Sequence, residues 1–228
     1  PSPIELRPEP TVVASAVPRA DAAPEPAACP RLVVAAGNEP LIDDFEDQNA
    51  RLLLTDGRDG TWAVYSDGTA PQILPAVNWP WHPRRLPTPR VDSRYAIHVV
   101  GAKMAKWGAV MTVDLAAGAC YDVSAYAGLE FWGKGTTRVH VSLTEIDSVP
   151  TAQGGLCTVD DCPASAAKPI DLAKTWTRYR ITWDELAQLS VPPTKFDPSR
   201  VITLAFGFHA QDSPFDVWID DVRFVERH

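Results

Sequence analysis

The sequence predicts an all-β fold, an antiparallel β-sandwich of the jelly-roll type. Seven segments are rich in β-branched and aromatic residues, and apolar and polar residues alternate along them as in strands that bury one face. Turn residues separate these segments, and no repeat or heptad pattern is present. One-sided burial in so many strands requires two packed sheets. The predicted strands are 94–100, 109–115, 129–132, 139–145, 179–183, 201–208 and 216–224.

The alternation assigns the two faces of each strand. In the strand 129–132, for example, Leu129 and Phe131 would point into the core while Trp132 points outward. The same reasoning directs six side chains outward, where we expect them to share one open sheet: Trp132, His140, Ser142, Arg180, His209 and Trp218.

One short helix is expected, over residues 183–189. Thr182 stands where an N-cap is needed, and Asp184 and Glu185 in the first turn would interact favourably with the helix dipole.

The last predicted strand changes phase in its middle. Val217 and Ile219 share one face, but Val222 and Phe224 continue on the opposite phase, so the register must slip at Asp220-Asp221. A slip of one residue indicates a β-bulge.

Carboxylates at both ends of the folded region suggest a calcium site. The bulge would bring its acidic residues beside the acidic segment 41–47, and calcium takes about six to eight oxygen ligands. The Asp-Gly loop at 56–60 could add a further ligand, although an ordinary hairpin turn explains that loop slightly better. The predicted ligands of a structural calcium ion are Asp44, Glu46, Asp59 and Asp221.

Three segments carry a family resemblance: LIDDFED at 41–47, YDVSAYAGLEFWGKG at 121–135 and FDVWIDDVRF at 215–224. Together they resemble the galactose-binding-like jelly rolls, and within that group the family 11 carbohydrate-binding modules and related secreted bacterial proteins. The resemblance implies a calcium-stabilised sandwich that binds a polysaccharide or oligosaccharide without catalysis. These are framework residues, so they indicate the fold more specifically than the ligand.

The composition indicates a single folded domain that follows an N-terminal tail. Residues 1–30 contain eight Pro and seven Ala and almost no aromatic residues, so residues 1–38 are predicted to be a disordered tail or linker and residues 39–228 the sandwich. No apolar run is long enough to span a bilayer, so no membrane insertion is expected. The net charge of −8 argues against nucleic-acid binding. We expect a monomer.

Four cysteines indicate an exported protein. Cys157 and Cys162 form a close pair in a polar loop, which favours a local disulfide over zinc because no second pair or nearby His completes a zinc site. Cys29 and Cys120 could form a second disulfide, with a free Cys29 as the alternative. The predicted location is secreted, periplasmic or at the cell surface.

Aromatic and polar residues on an outward face suit a sugar, whose ring stacks on flat side chains while its hydroxyls form hydrogen bonds. Trp132 and Trp218 could instead be packed beneath a loop, since Trp is highly buried on average. Trp79 and Trp81, in a proline-rich loop, could form a ligand wall or a lid. The predicted ligand-binding residues are Trp62, Tyr65, Trp132, His140, Arg180, His209 and Trp218.

Signatures of catalysis are absent from the sequence. It has no nucleophile elbow, no HExxH, no phosphate-binding glycine loop and no dinucleotide fingerprint, so we predict no enzyme. The alternative is a polysaccharide-active enzyme that uses a carboxylate pair or a histidine on the same outward face, with Glu130, Glu145 and Asp216 as the candidate acids. A second alternative is a structural envelope protein.

Overall fold

The computed structural model describes residues 29–69, 73–74, 82–102, 104–160, 162, 164–188, 195–209 and 214–227. It confirms the predicted fold, a β-sandwich of two seven-stranded sheets. Within these residues, 3-10 turns lie at Ile146–Ser148, Thr151–Gln153, Trp183–Glu185 and Pro198–Arg200. The strands are β1 Leu32–Val34, β2 Leu41–Asp43, β3 Ala63–Ser66, β4 Ile73–Leu74, β5 Arg84–Arg90, β6 Ser93–Gly101, β7 Ala109–Asp114, β8 Cys120–Asp122, β9 Tyr126–Gly135, β10 Arg138–Glu145, β11 Ala166–Asp171, β12 Thr177–Thr182, β13 Val201–Phe208 and β14 Phe215–Glu226.

The first sheet, called sheet A, is built around β13. Strand β10 pairs with β13 on one side and carries β11 beyond it, while β7 pairs with β13 on the other side and carries β3. Strand β8 pairs with β13 at Tyr121 and Val201, and β1 runs parallel to β8.

The second sheet, called sheet B, is built around β14. Strand β9 pairs with β14 on one side and carries β12, while β6 and β2 pair with successive parts of β14. Strands β4 and β5 pair with β6.

One apolar core fills the space between the sheets. Phe206 of sheet A meets Phe131 of sheet B edge to face, with ring centroids 5.2 Å apart. Trp62 and Tyr126 are also fully buried in this core, the second stacked on Phe224. The inward positions of β9 and β10 are those that the alternation in sequence predicts, as are Leu204, Phe206 and Phe208 of β13, whereas at the start of β13 a register shift leaves Val201 buried and Ile202 half-buried.

The predicted bulge in β14 is confirmed. The pairing of β14 with β9 shifts register between Asp220 and Arg223, and Asp221 has a positive φ of 46°. Because of this shift Ile219 and Val222 both reach the core, where both are fully buried.

Two sequence-based expectations differ from the structure. The expected helix over 183–189 is a single 3-10 turn, Trp183–Glu185, in which the Glu185 carboxylate accepts a hydrogen bond from the N–H of Thr182. The predicted tail extended to residue 38, but β1 lies within that range and pairs with β8. Residues 29–38 therefore contribute to sheet A, whereas the tail prediction for 1–28 falls outside the described residues.

Both predicted disulfides are present. Cys29 is bonded to Cys120, the first residue of β8, across 91 residues of sequence. Cys157 is bonded to Cys162 within one loop. No helix among the described residues has the length and apolar character needed to cross a membrane.

Candidate functional site

The outward face of sheet A carries two rows of mostly small side chains, which we call the floor of the site. In register across its strands lie Tyr65 of β3, Val110 of β7, Gly207 of β13, His140 of β10 and Pro169 of β11. The neighbouring row consists of Ala63, Thr112, Ala205, Ser142 and Ala167. Five adjacent strands at about 4.8 Å spacing give a face about 19 Å wide.

Two histidines form a wall on this floor. The rings of His140 and His209 stack with their centroids 3.8 Å apart and their planes 17° apart. Gly207 lies next to both histidines, since a Cβ built there would be in ordinary van der Waals contact with His140 Cβ at 3.6 Å and with His209 Cδ2 at 3.8 Å. Burial lowers the pKa of His140, and the neighbouring His209 and Arg138 act in the same direction.

Trp107 stands beside the same floor, with 51% of its surface exposed. Its loop, between β6 and β7, is fixed by Asp67, whose Oδ2 accepts hydrogen bonds from the N–H groups of Lys106 (3.0 Å) and Gly108 (2.8 Å). Desolvation raises the pKa of the Asp67 carboxyl, but these bonds and those from Thr69 outweigh it and lower the pKa to about 2. The loop is thus held by a carboxylate that stays ionised at neutral pH.

The floor, the histidine wall and the Trp107 loop enclose a cleft of about 530 Å³, called the sheet A cleft. No carboxylate is among its described lining residues, which offer ring faces, hydroxyls and one ammonium group. The lining residues are Lys106, Trp107, Ala109, Val110, His140, Ser142, Ala164, Ser165, Ala167, Gly207 and His209.

The predicted ligand-binding residues do not share one sheet, which corrects that expectation. His140 and His209 line the sheet A cleft, and Tyr65 stands near it on β3 with 54% of its surface exposed. Trp132, Arg180 and Trp218 belong to sheet B. Alternation distinguishes inward from outward positions in a strand, but it does not say which of two sheets a strand joins.

On sheet B each of the two tryptophan rings already has a stacking partner. Arg90 lies 4.7 Å above the Trp132 ring, and His98 stacks on Trp218 at 3.8 Å. Trp218 is only 8% exposed and packs with Leu86. The packed arrangement, the alternative considered for these two tryptophans, describes their surroundings better than a sugar platform.

Trp62 is not a surface residue, which corrects its assignment to the ligand site. It is fully buried, and its Nε1–H donates to the Asp43 carboxylate at 2.9 Å. Burial raises the pKa of Asp43 to about 8, although bonds from Phe45 and Trp62 lower it. The aromatic side chain that lines the cleft is Trp107, which the sequence reasoning missed because it lies in a loop outside every strand pattern. Trp79 and Trp81 fall outside the described residues.

The candidate acids for hydrolysis do not converge. Glu145 is 5% exposed, and its Oε1 accepts a hydrogen bond from the Asp197 N–H at 2.6 Å. Glu130 is in β9 and Asp216 in β14, both in sheet B, and Asp216 accepts a bond from His98 at 3.0 Å. These three carboxylates have structural partners and do not line the sheet A cleft.

Three of the four predicted calcium ligands do meet. Asp44, Glu46 and Asp221 line a second cleft of about 330 Å³, called the carboxylate cleft. Arg90 and Trp132 line it as well. The two ends of the folded region are thus brought together, as the sequence predicts.

The fourth predicted ligand lies elsewhere, which is a correction. Asp59 does not line the carboxylate cleft, and its Oδ1 accepts a hydrogen bond from the Ala117 N–H at 2.6 Å. The Asp-Gly loop therefore fastens the chain that follows β7 instead of completing a cation site.

The carboxylate cleft does not fit a calcium ion as its side chains are arranged. Glu46 uses both oxygens to accept bonds from the N–H groups of Arg94 (2.6 Å) and Tyr95 (2.8 Å) and from the Arg94 Nε–H (3.0 Å). Arg90 donates to Asp221 and to the neighbouring Asp220. Within the described part of the chain, no group of three or more His, Cys, Asp or Glu side chains is arranged to hold a metal ion. Structural calcium stays a prediction.

Solved structures share this architecture. A family 11 carbohydrate-binding module of the cellulosomal cellulase Lic26A-Cel5E of Clostridium thermocellum aligns with a TM-score of 0.54 and 15% identity, over 85% of this chain and 97% of that chain. A family 11 module from Clostridium thermocellum in complex with a β-1,3-1,4-mixed-linked tetrasaccharide aligns with a TM-score of 0.51 and 14% identity, over 82% of this chain and 95% of that chain. At this identity the likeness shows the fold alone.

Family membership follows from the sequence match. No curated protein matches the chain. Carbohydrate binding domain 30 matches it over residues 85–226, which include all the described lining residues of the sheet A cleft but not β3. The chain therefore belongs to the carbohydrate binding domain 30 family, whose members are non-catalytic binding modules.

Proposed function

We propose that the sheet A cleft binds a neutral polysaccharide without cleaving it. The observation that carries this proposal is the exposed Trp107 ring, which stands with the His140–His209 stack over a floor of small residues. A sugar ring on that floor has flat aromatic faces beside it and the hydroxyls of Ser142 and Ser165 within the same cleft.

A neutral ligand fits the charge of the site. Lys106 is the only fully cationic side chain among the described lining residues, and no carboxylate faces it there. The cleft therefore lacks the paired cations that recognise acidic groups, and binding would depend on ring stacking and hydrogen bonds. The family 11 module in complex with a β-1,3-1,4-mixed-linked tetrasaccharide makes that oligosaccharide a sensible first probe.

Export of the protein is part of the proposal. Two disulfides join the four cysteines, and such bonds persist in oxidising compartments. A secreted, periplasmic or surface-bound module would meet polysaccharides in those compartments.

Affinity electrophoresis tests the proposed function. The protein is run through gels that contain mixed-linked β-glucan, xylan or mannan, and at least one gel should retard it. Trp107→Ala removes the exposed ring and should weaken binding about tenfold or more, a loss of about 1.4 kcal/mol.

A matched variant separates the two sheets. Trp176→Ala removes a half-buried ring that packs against the cluster of Leu86, Ala96 and Trp218 on sheet B, and it should leave the retardation unchanged. If the wild-type protein migrates in all three gels as it does in a gel without polysaccharide, glycan binding is contradicted. Equal losses in the two tryptophan variants would contradict the location in sheet A.

A further inference from the structure

The carboxylate cleft gathers more negative charge than its exposed residues suggest. Asp44, Glu46 and Asp221 line it, and Asp220 lies fully buried next to Asp221 at the bulge. Burial raises the pKa of Asp220 to about 6, even though Ser93 and Arg90 donate hydrogen bonds to it. Adjacent carboxylates in a partly buried site repel each other, so the fold needs a positive charge at this point.

Arg90 supplies that charge. Its Nη2 donates to Asp220 Oδ2 at 2.9 Å and to Asp221 Oδ2, so a single guanidinium nitrogen connects both residues of the bulge. Ser93 donates to the same oxygen of Asp220 at 2.6 Å. Asp221 can present its oxygen here because its positive φ turns the chain at the bulge.

Packing fixes the guanidinium in place. The Arg90 carbon lies 4.7 Å from the centre of the Trp132 ring and 5.6 Å from that of Trp176. Its side chain is 11% exposed. A planar guanidinium stacks on aromatic faces and is more weakly hydrated than an ammonium group, so it tolerates this position.

The contacts join distant parts of the chain. Arg90 is the last residue of β5, and Ser93 begins β6, whereas Asp220 and Asp221 belong to β14. Glu46, just after β2, accepts bonds from the backbone of Arg94 and Tyr95 at the start of β6. Donors from β5 and β6 thus bind the carboxylates that follow β2 and lie in β14.

We infer that Arg90 takes the place of a divalent cation at the bulge of β14 and that, with the N–H donors of β6 that bind Glu46, it satisfies the carboxylates of this cleft without calcium. Calcium requires about six to eight oxygen ligands. Here both oxygens of Glu46, both oxygens of Asp220 and one oxygen of Asp221 already accept hydrogen bonds, and the guanidinium would repel the ion. The inference is independent of which glycan the sheet A cleft binds.

Thermal unfolding of the wild-type protein gives the first test. The melting temperature is measured after exhaustive treatment with EDTA and again in 1 mM calcium chloride. We expect the two values to agree within about 1 °C. A structural calcium site of micromolar affinity would instead raise the melting temperature by roughly 8–16 °C at this concentration, and that result would overturn the inference.

Substitution of Arg90 gives the second test. Arg90→Met leaves Asp220 and Asp221 uncompensated and should lower the melting temperature by roughly 6–15 °C. Arg85→Met, at an exposed position of the same strand, is the matched control and should change it by less than about 2 °C. Equal melting temperatures in Arg90→Met and Arg85→Met would show that Arg90 does not stabilise the carboxylate cleft.

A conservative variant covers the case in which Arg90→Met does not fold. Arg90→Lys keeps the positive charge but loses the planar stack on Trp132, so its melting temperature should lie below that of the wild type and remain indifferent to EDTA. A melting temperature of Arg90→Lys equal to that of Arg85→Met would count against the role of the guanidinium.

Discussion

The imidazole rings of His140 and His209 are held face to face at the proposed binding site. A stack of two neutral rings is attractive, whereas protonation places like charges at about the same separation. Arg138 lies close enough to lower the pKa of His140, although Asp171 pairs with that guanidinium at 2.8 Å, and Lys106 lines the cleft. The surroundings therefore favour the neutral form of His140.

This arrangement predicts a dependence on pH. Because the pKa of His140 is lowered in the fold, the unfolded chain takes up a proton first, and stability should fall as the pH decreases through about 6.5. Glycan affinity should fall about three- to tenfold between pH 7.5 and pH 5.0, as measured by isothermal titration calorimetry.

The variant His209→Gln is the control for this effect. It removes the stacked partner, so the affinity that remains should vary less with pH than that of the wild type. An unchanged slope in His209→Gln would show that another group is responsible.

For single residues, the sequence predicts what a side chain could do chemically better than it predicts where that side chain lies in the fold. It indicates the outward histidines His140 and His209, which do meet in the cleft. It also treats Trp62 as a surface residue, because nothing local shows that the loop before β3 enters the core and that Asp43 is there to accept the indole N–H. Trp107 was missed for the opposite reason, since its exposure depends on a loop fixed by the distant Asp67.

At the scale of elements, the loop between β6 and β7 is the part of the site that needs support. Asp67 joins it to the end of β3 by accepting bonds from the N–H groups of Lys106 and Gly108, and the Thr69 hydroxyl oxygen accepts a bond from the N–H of Ala105 at 2.8 Å. Asp67 is therefore a positioning residue that acts through Trp107.

We expect Asp67→Ala to weaken glycan binding about three- to tenfold, because the Trp107 ring is then no longer held over the floor. The matched variant Asp184→Ala removes an exposed carboxylate of the 3-10 turn Trp183–Glu185 and should bind as the wild type does. Calorimetry with the same oligosaccharide compares them. Near-identical affinities for Asp67→Ala and Asp184→Ala would remove Asp67 from the site.

Strand prediction succeeded where burial is one-sided. The seven predicted strands correspond to β6, β7, β9, β10, β12, β13 and β14. The others are short or carry residues that normally interrupt strands, such as the two prolines of β5 and the one in β11, which lies at the edge of sheet A. The side on which a strand pairs depends on contacts far apart in sequence, so the sequence could not show that the outward aromatic residues divide between two sheets.

For the whole molecule, the two disulfides should contribute unequally to stability. Cys29–Cys120 spans 91 residues, while Cys157–Cys162 spans 5. Loop-closure entropy gives about 4.6 kcal/mol for the long loop and about 2 kcal/mol for the short one.

Replacing Cys29 and Cys120 together with Ser should therefore lower the melting temperature by roughly 9–18 °C, about twice the loss for Cys157 and Cys162. Differential scanning calorimetry of the two double variants measures this difference. A larger loss from the short loop would show that Cys29–Cys120 does not restrain the unfolded chain as the described fold implies.

The molecule as a whole presents two different faces. The outward face of sheet A leaves a tryptophan and two histidines open above small residues, whereas the outward face of sheet B covers its tryptophans with Arg90, Lys134 and His98. The proposed binding function therefore belongs to sheet A. On sheet B, the outward side chains pack against one another and hold the bulge of β14 in place.

Chemical-shift mapping tests this division most directly. The 15N-labelled protein is titrated with a soluble oligosaccharide of the glycan that retards it in electrophoresis, and the backbone and indole N–H signals are followed. We predict that the shifts concentrate on Trp107, His140, Ser142, Gly207 and His209 and leave Trp132, Trp176 and Trp218 unchanged. Shifts centred on the sheet B tryptophans, with the sheet A cleft unaffected, would contradict the proposed site.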